Sequence, residues 1–217
     1  MYKRQGLKAL FSSEADRASR RPATRWGFRP VVGFQGASTA DDVFARSGHA
    51  GIRMAHQWWS PTHAPIRPAG ETRLQTSGLF GQVSGFDATL DSLGGSWLGP
   101  VGLFAGGQVR ADRRKWSSTV DLPPAVGVGP SAQVALRVGN VTPWVGASPA
   151  WLVAGDRTGL ADAPWDELTA RGGFILNGNW AETRLSGTWR AVDGADLWDI
   201  TVGFHFRIAP NQSSRRS

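Results

Sequence analysis

The stretch WDITVGFHFRI, residues 198–208, alternates without a break. Trp198, Ile200, Val202, Phe204, Phe206 and Ile208 fall in one phase, and Asp199, Thr201, Gly203, His205 and Arg207 in the other. Successive side chains of a strand point to opposite faces. As a strand, this segment has one wholly apolar face and one polar, charged face. On a water-soluble sheet the apolar face packs on a core and the polar face meets water. In a membrane barrel the apolar face meets lipid and the polar face lines the lumen. The rest of the chain has to decide between them.

The chain has 217 residues, 41% hydrophobic and 19% charged, with 28 Gly, 11 Trp and no Cys. No apolar run reaches the ~18 residues of a membrane helix, which leaves barrel strands of about 9–11 residues untouched as an option. The absence of Cys removes disulfides and thiolate metal sites. The net charge of +7 is carried mostly by Arg. These Arg are spread singly rather than gathered on one element, which argues against a nucleic-acid surface. The densest group, Arg113, Arg114 and Lys115, reads as a solvated loop.

Nine strands are visible in residues 25–208, one of them a poorly alternating segment at 73–89 that a bulge would explain. Where alternation is clear, Arg29, Arg53, Arg110, Arg137, Arg171, Arg184, Arg190 and Arg207 all share the polar phase, with His205 and the acids Glu182 and Asp199. The connections sort by length. Gly139–Asn140, Asn177–Asn179 and the DSLGGS segment read as tight turns, and 60–72, 112–130 and 154–166 as long loops. Short turns on one side and long loops on the other are a barrel property. Trp26, Trp58, Trp59, Trp97, Trp116, Trp165, Trp180 and Trp198 sit near strand ends, where indole suits a membrane–water interface.

The closing strand resembles the assembly signal of bacterial outer-membrane β-barrels, with Thr201, Gly203, Phe206 and Ile208 in the signal's order, although the tail APNQSSRRS follows it. TPWVGASPAW, residues 142–151, is similar to a strand after a periplasmic turn in small barrels. The resemblance implies an all-β, antiparallel, up-and-down transmembrane barrel in the bacterial outer membrane. Its partners would be outer-membrane lipid and the barrel-assembly machinery, with no nucleic acid. Such barrels have an even strand number, so nine strands imply at least a tenth. Met1–Gln5 match a translated transposase end used in sequencing libraries, so residues 1–24 read as a scar plus a loop remnant, and 209–217 as a polar tail. A fragment short of one strand is expected to fold poorly, because its edge would be unpaired in lipid.

No catalytic, cofactor or metal site is expected. His49 and His56 fall on opposite faces, and GLFAGGQ lies inside a strand pattern rather than before a helix. The basic phase permits two readings of the lumen: a porin-like path selecting anions, or a salt-bridge network filling the barrel. The rival folds and activities are a soluble lipocalin-like barrel, with the Arg phase in water, and a lipid-modifying enzyme, with Ser and His meeting at one rim.

Overall fold

In a computed structural model the chain is described over residues 23–39, 45–60, 65–116, 121–155, 157, 159–160, 163–177, 181–192 and 195–206. Ten strands occupy almost all of it: β1 (Ala23–Thr39), β2 (Ala45–Trp59), β3 (Ile66–Gly81), β4 (Val83–Leu98), β5 (Val101–Trp116), β6 (Asp121–Leu136), β7 (Val141–Gly155), β8 (Glu167–Asn177), β9 (Ala181–Val192) and β10 (Ala195–Phe206). Each strand pairs antiparallel with its sequence neighbours, and β1 pairs with β10 from Val31↔Gly203 to Thr39↔Ala195, which closes the barrel. The strands run from 11 to 17 residues. Most therefore exceed the ~9–11 that cross a bilayer, and their ends project beyond it.

The outer face is apolar. Trp26, Phe28, Phe34, Ile52, Leu74, Leu90, Val109, Val145, Phe174 and Ile200 point outward and are exposed. The inward phase carries Arg29, Arg53, Gln35, Asp91, Gln108, Arg110, Arg184 and Thr201, all buried. This is the membrane arrangement, and it is the reverse of a lipocalin-like barrel, whose charged face would meet water.

The tenth strand is β4, and the segment read as one bulged strand is the β3–β4 hairpin. Gly81 (φ 115°) and Gly85 (φ 144°) shape its tip. The alternation fails there because both faces change character. Leu79 and Val83 turn inward into an apolar cluster with Ala37, Leu122, Val192, Ala195 and Leu197. Gln82 and Ser84 are exposed. Residues 23–206 thus supply every strand of the closed ring, and the unpaired edge expected from the count of nine does not arise.

The loops do not sort as expected. DSLGGS lies within β4, and the turn is at Gly99–Pro100. Residues 66–72 belong to β3, while 112–116 and 121–130 belong to β5 and β6. Gly139–Asn140 is a turn, closed by the Val138↔Val141 bridge. Residues 178–180, where the other tight turn was expected, lie outside the described residues.

Gly139 sits at φ 57°, in the left-handed region. Gly139→Val is expected to cost about 1–2 kcal/mol and Gly139→Asn much less, because Asn tolerates this conformation. Urea midpoints of the two variants check this.

Outward glycines have a second use. Trp198 lies over Gly36, its cross-strand partner, and Trp58 over Gly70, where a Cβ would collide with the indole. Pairing a large aromatic with a bare backbone fills the outer face without crowding it.

Candidate functional site

The lumen is filled with side chains, and it is the candidate site. The far end, where β1 gives way to β2, is capped inside by the Leu79–Val83 apolar cluster. Below it lies the densest charge. Asp112 Oδ2 accepts from Arg190 Nη2 at 2.7 Å and Arg114 Nε at 3.2 Å, while Oδ1 accepts from Arg157 Nη1 at 3.1 Å. Arg157, from the connection between β7 and β8, reaches into the network; it also donates to Glu167 Oε1 at 2.8 Å and to the Pro123 carbonyl at 2.9 Å. Arg114 reaches Asp87 at 2.8 Å and Gln35 Oε1 at 2.9 Å, and Arg110 pairs with the same Asp87.

The middle of the barrel holds Asp91 between Arg73 at 2.6 Å and Arg171 at 2.9 Å. Arg171 also faces Ser131, whose hydroxyl accepts from Ser148 at 2.9 Å. Arg53 donates to Gln75. Toward the terminal end, where β1 starts and β10 stops, Arg29 lies 2.8 Å from Glu182 and Arg184 3.4 Å from Glu71. Several contacts cross the lumen between strands that are not neighbours: β9 to β5, β8 to β4, β9 to β3 and β5 to β1.

Of the sequence-derived lumen residues, Arg29, Arg53, Arg110, Arg171, Arg184 and Arg190 lie in this network. Arg137 does not. It is exposed at the turn after β6, stacked 3.7 Å over the Trp97 ring. Burial, and next the like charge of Arg67, lower its pKa from the usual value. Arg207 and the His205 side chain lie outside the description.

The expectation of few acids is corrected: Glu71, Asp87, Asp91, Asp112 and Glu167 join Glu182 and Asp199. Glu71, Asp91 and Asp112 went unseen because β3, β4 and β5 are longer than the sequence pattern suggested, and Asp87 because it lay in the segment of poor alternation. Arg114, taken for part of a solvated loop, is buried within the network, although its neighbours Arg113 and Lys115 are exposed.

The Trp residues divide. Trp26, Trp58 and Trp59 lie at the terminal end, and Trp198 pairs with Trp189 near the far end. Trp97 does not belong to an outer belt: it points inward, buried with Ala69, Ala135 and Trp144. Trp165 is half-buried in the connection before β8, while Trp180 and the Trp116 side chain are outside the description. Trp151 and Trp189 are outward and exposed, and were not singled out by position.

On the closing strand, Thr201 and Gly203 face inward, and Thr201 Oγ1 is 3.1 Å from His49 Nε2. Phe206 ends β10, and Ile208 lies beyond the described residues. His56 lies against Trp26, with ring centroids 4.5 Å apart. No His, Asp and Glu cluster fit for a metal occurs among the described residues.

A cavity of about 370 Å³ opens at the terminal end. Trp97, Phe104, Ile175, Gln133 and Arg137 line it, and Arg184 and Glu71 lie at its base. Phe104 meets Trp97 edge-on at 5.6 Å. A smaller space of about 80 Å³ lies among Arg73, Asp91 and Arg171 in the middle of the barrel.

No protein-family model and no curated protein matches the chain. Among solved structures it is similar to the beta domain of the Bordetella autotransporter Brka, at 11% identity over 83% of this chain and 98% of that one, with a TM-score of 0.42. The translocator domain of autotransporter NalP from Neisseria meningitidis is similar at 12% identity over 84% and 89%, with a TM-score of 0.34. A multiply substituted Rh. blastica porin is similar at 9% identity over 85% and 100%, with a TM-score of 0.28.

Proposed function

We propose that the chain, a closed, antiparallel up-and-down β-barrel of even strand number with an apolar outside and a charged inside, resides in the bacterial outer membrane as a sealed barrel with a structural role and no catalytic one. The observation that carries this reading is the set of ion pairs that cross the lumen. Arg190–Asp112, Arg171–Asp91 and Arg184–Glu71 tie opposite walls together. Arg184, Arg190 and Asp91 are under 3% exposed, so solvent does not pass around them. At ten strands the interior is narrow enough for side chains to fill it.

The terminal end faces the periplasm in this reading. The tight turns Gly99–Pro100 and 137–140 lie there, whereas the longest connection, 156–166, lies at the far end. Outward Arg113 and Lys115, close to that far end, then stand above the apolar band at lipid headgroup height. Outer-membrane lipid is the partner of the apolar face. The assembly machinery reads the closing strand through Thr201, Gly203 and Phe206.

A second reading, an anion-selective path, has one observation in its favour: buried guanidinium groups outnumber buried carboxylates. Planar-bilayer recording of the purified protein separates the two. The sealed barrel gives no steady conductance. Steady anion-selective steps, moved toward cations by Arg171→Glu, establish the path instead.

A further inference from the structure

The terminal-end cavity meets the sealing ion pairs only at its Arg184–Glu71 floor, and above that floor it has the features of a ligand site. Its volume, about 370 Å³, lies within the range of small-molecule pockets. Part of the wall is aromatic and apolar, built from Trp97, Phe104 and Ile175. Such a chamber in water alone would leave apolar surface wet.

Two polar features are set into these walls. Gln133 Oε1 is buried and has no hydrogen-bond partner among the described residues. A buried acceptor left unmade costs stability unless something donates to it. At the mouth, the Arg137 guanidinium lies 3.7 Å over the Trp97 ring. Arg67, the cross-strand partner of Trp97, adds a second cation nearby and donates to the Gly99 carbonyl. The mouth is therefore positive, and Gln133 is an unsatisfied acceptor inside, while the lining carboxylates Glu71 and Glu182 are each paired with a guanidinium, Arg184 and Arg29.

The spacing constrains the occupant. Gln133 and Arg137 share the inward phase of one chain segment, so at ~3.3 Å per residue they are roughly 13 Å apart. A rigid two-ring body with polar groups at opposite ends spans that interval once the two side chains reach toward it. A guanidinium already held against indole suits a planar anionic group, which its fork of donors can pair bidentately.

We infer that the terminal-end cavity binds a flat, aromatic organic anion. Its acidic group pairs with Arg137, its rings lie against Trp97, Phe104 and Ile175, and a hydroxyl at its inner end donates to Gln133. This does not depend on the barrel being sealed: an ion path would pass through the Arg184–Glu71 floor and leave the Arg137, Trp97 and Gln133 walls in place.

The probe is 6-hydroxy-2-naphthoate, titrated calorimetrically into the full chain folded in maltoside micelles, with 2-naphthylmethylammonium as the cationic comparison. The expected result is saturable one-to-one binding of the anion, with the ammonium compound at least about tenfold weaker. Arg137→Gln weakens the anion about tenfold, and Gln133→Leu several-fold. Neither side chain belongs to the ion-pair network: Arg137 lies in an exposed turn, and the Oε1 of Gln133 has no partner among the described residues. Heat-modifiable gel mobility verifies that both variants are folded. The inference is overturned by micelle partitioning without saturation, by equal affinity for the ammonium probe, or by an unchanged affinity in either variant. Bilayer conductance does not enter this readout, so the sealed-barrel reading stands or falls separately.

Discussion

Asp112→Ala is expected to lower the stability of the barrel by about 3–5 kcal/mol, the usual cost of removing one partner from a buried charge cluster. Asp112 is 2% exposed and accepts from three guanidiniums: Arg190 on β9, Arg114 on β5 and Arg157 from the 156–166 segment. Its loss leaves these cations facing one another. Glu167 still holds Arg157 at 2.8 Å, and Asp87 still holds Arg114 at 2.8 Å. Arg190 keeps only the longer 3.5 Å contact to Glu167 among its ion pairs, so it loses most. The damage is that of an uncompensated charge, so removing the charge as well should recover part of it. Asp112→Ala with Arg190→Ala is expected to be less destabilised than the sum of the single changes. Glu71→Ala should cost less than Asp112→Ala, because Glu71 is half-buried at the cavity and its ion pair with Arg184 is 3.4 Å long. Urea unfolding followed by Trp fluorescence ranks the variants. A harmless Asp112→Ala would mean that water reaches this layer and that the lumen is not packed as described.

The closing strand was readable because it lies mostly within the lipid band, where one face is apolar and the other polar throughout. The same rule failed at the β3–β4 hairpin, which stands at the far end. There Leu79 and Val83 point inward and Gln82 is outside, which is the pattern of a soluble core. A single period-two template cannot represent a strand whose surroundings invert along its length. A usable signal was present nonetheless: Phe86, Ala88 and Leu90 alternate with Asp87, Thr89 and Asp91. Following it would have supplied the tenth strand and two of the missing carboxylates together.

The basic lumen was half legible. Phase alone placed Arg29, Arg110 and Arg184 inward, but it cannot say which cations meet carboxylates across the barrel, since Arg171 and Asp91 are 80 residues apart. Strand ends were harder still. Arg137 keeps the inward phase but lies past the end of β6, so it stacks on Trp97 at the mouth. Proximity of Trp97 to a strand end suggested a lipid interface, yet both an outer belt and an inner vestibule lie at strand ends. Only the direction of the side chain separates them.

That direction is open to test on a single strand. Leu90 lies halfway along β4, exposed on the outer face, and its cross-strand neighbours Leu74 and Val109 are exposed apolar residues too. Leu98 shares its face at the terminal end of the same strand. Arg on a lipid-facing barrel position costs roughly 2–4 kcal/mol at the midplane and about 0–1 near the interface. Leu90→Arg should therefore fold poorly into phosphatidylcholine vesicles, with a urea midpoint well below that of the unmodified protein. Leu98→Arg should stay close to the unmodified protein, since its guanidinium reaches water. Phe204→Arg, on the outer face near the end of β10, should fall between them. A soluble barrel makes the opposite forecast: Arg at Leu90 would meet water and cost nothing, and the three variants would not differ. A gradient of cost with depth along one face has no source other than a bilayer around the barrel, and equal midpoints for Leu90→Arg and Leu98→Arg would remove the membrane from the account.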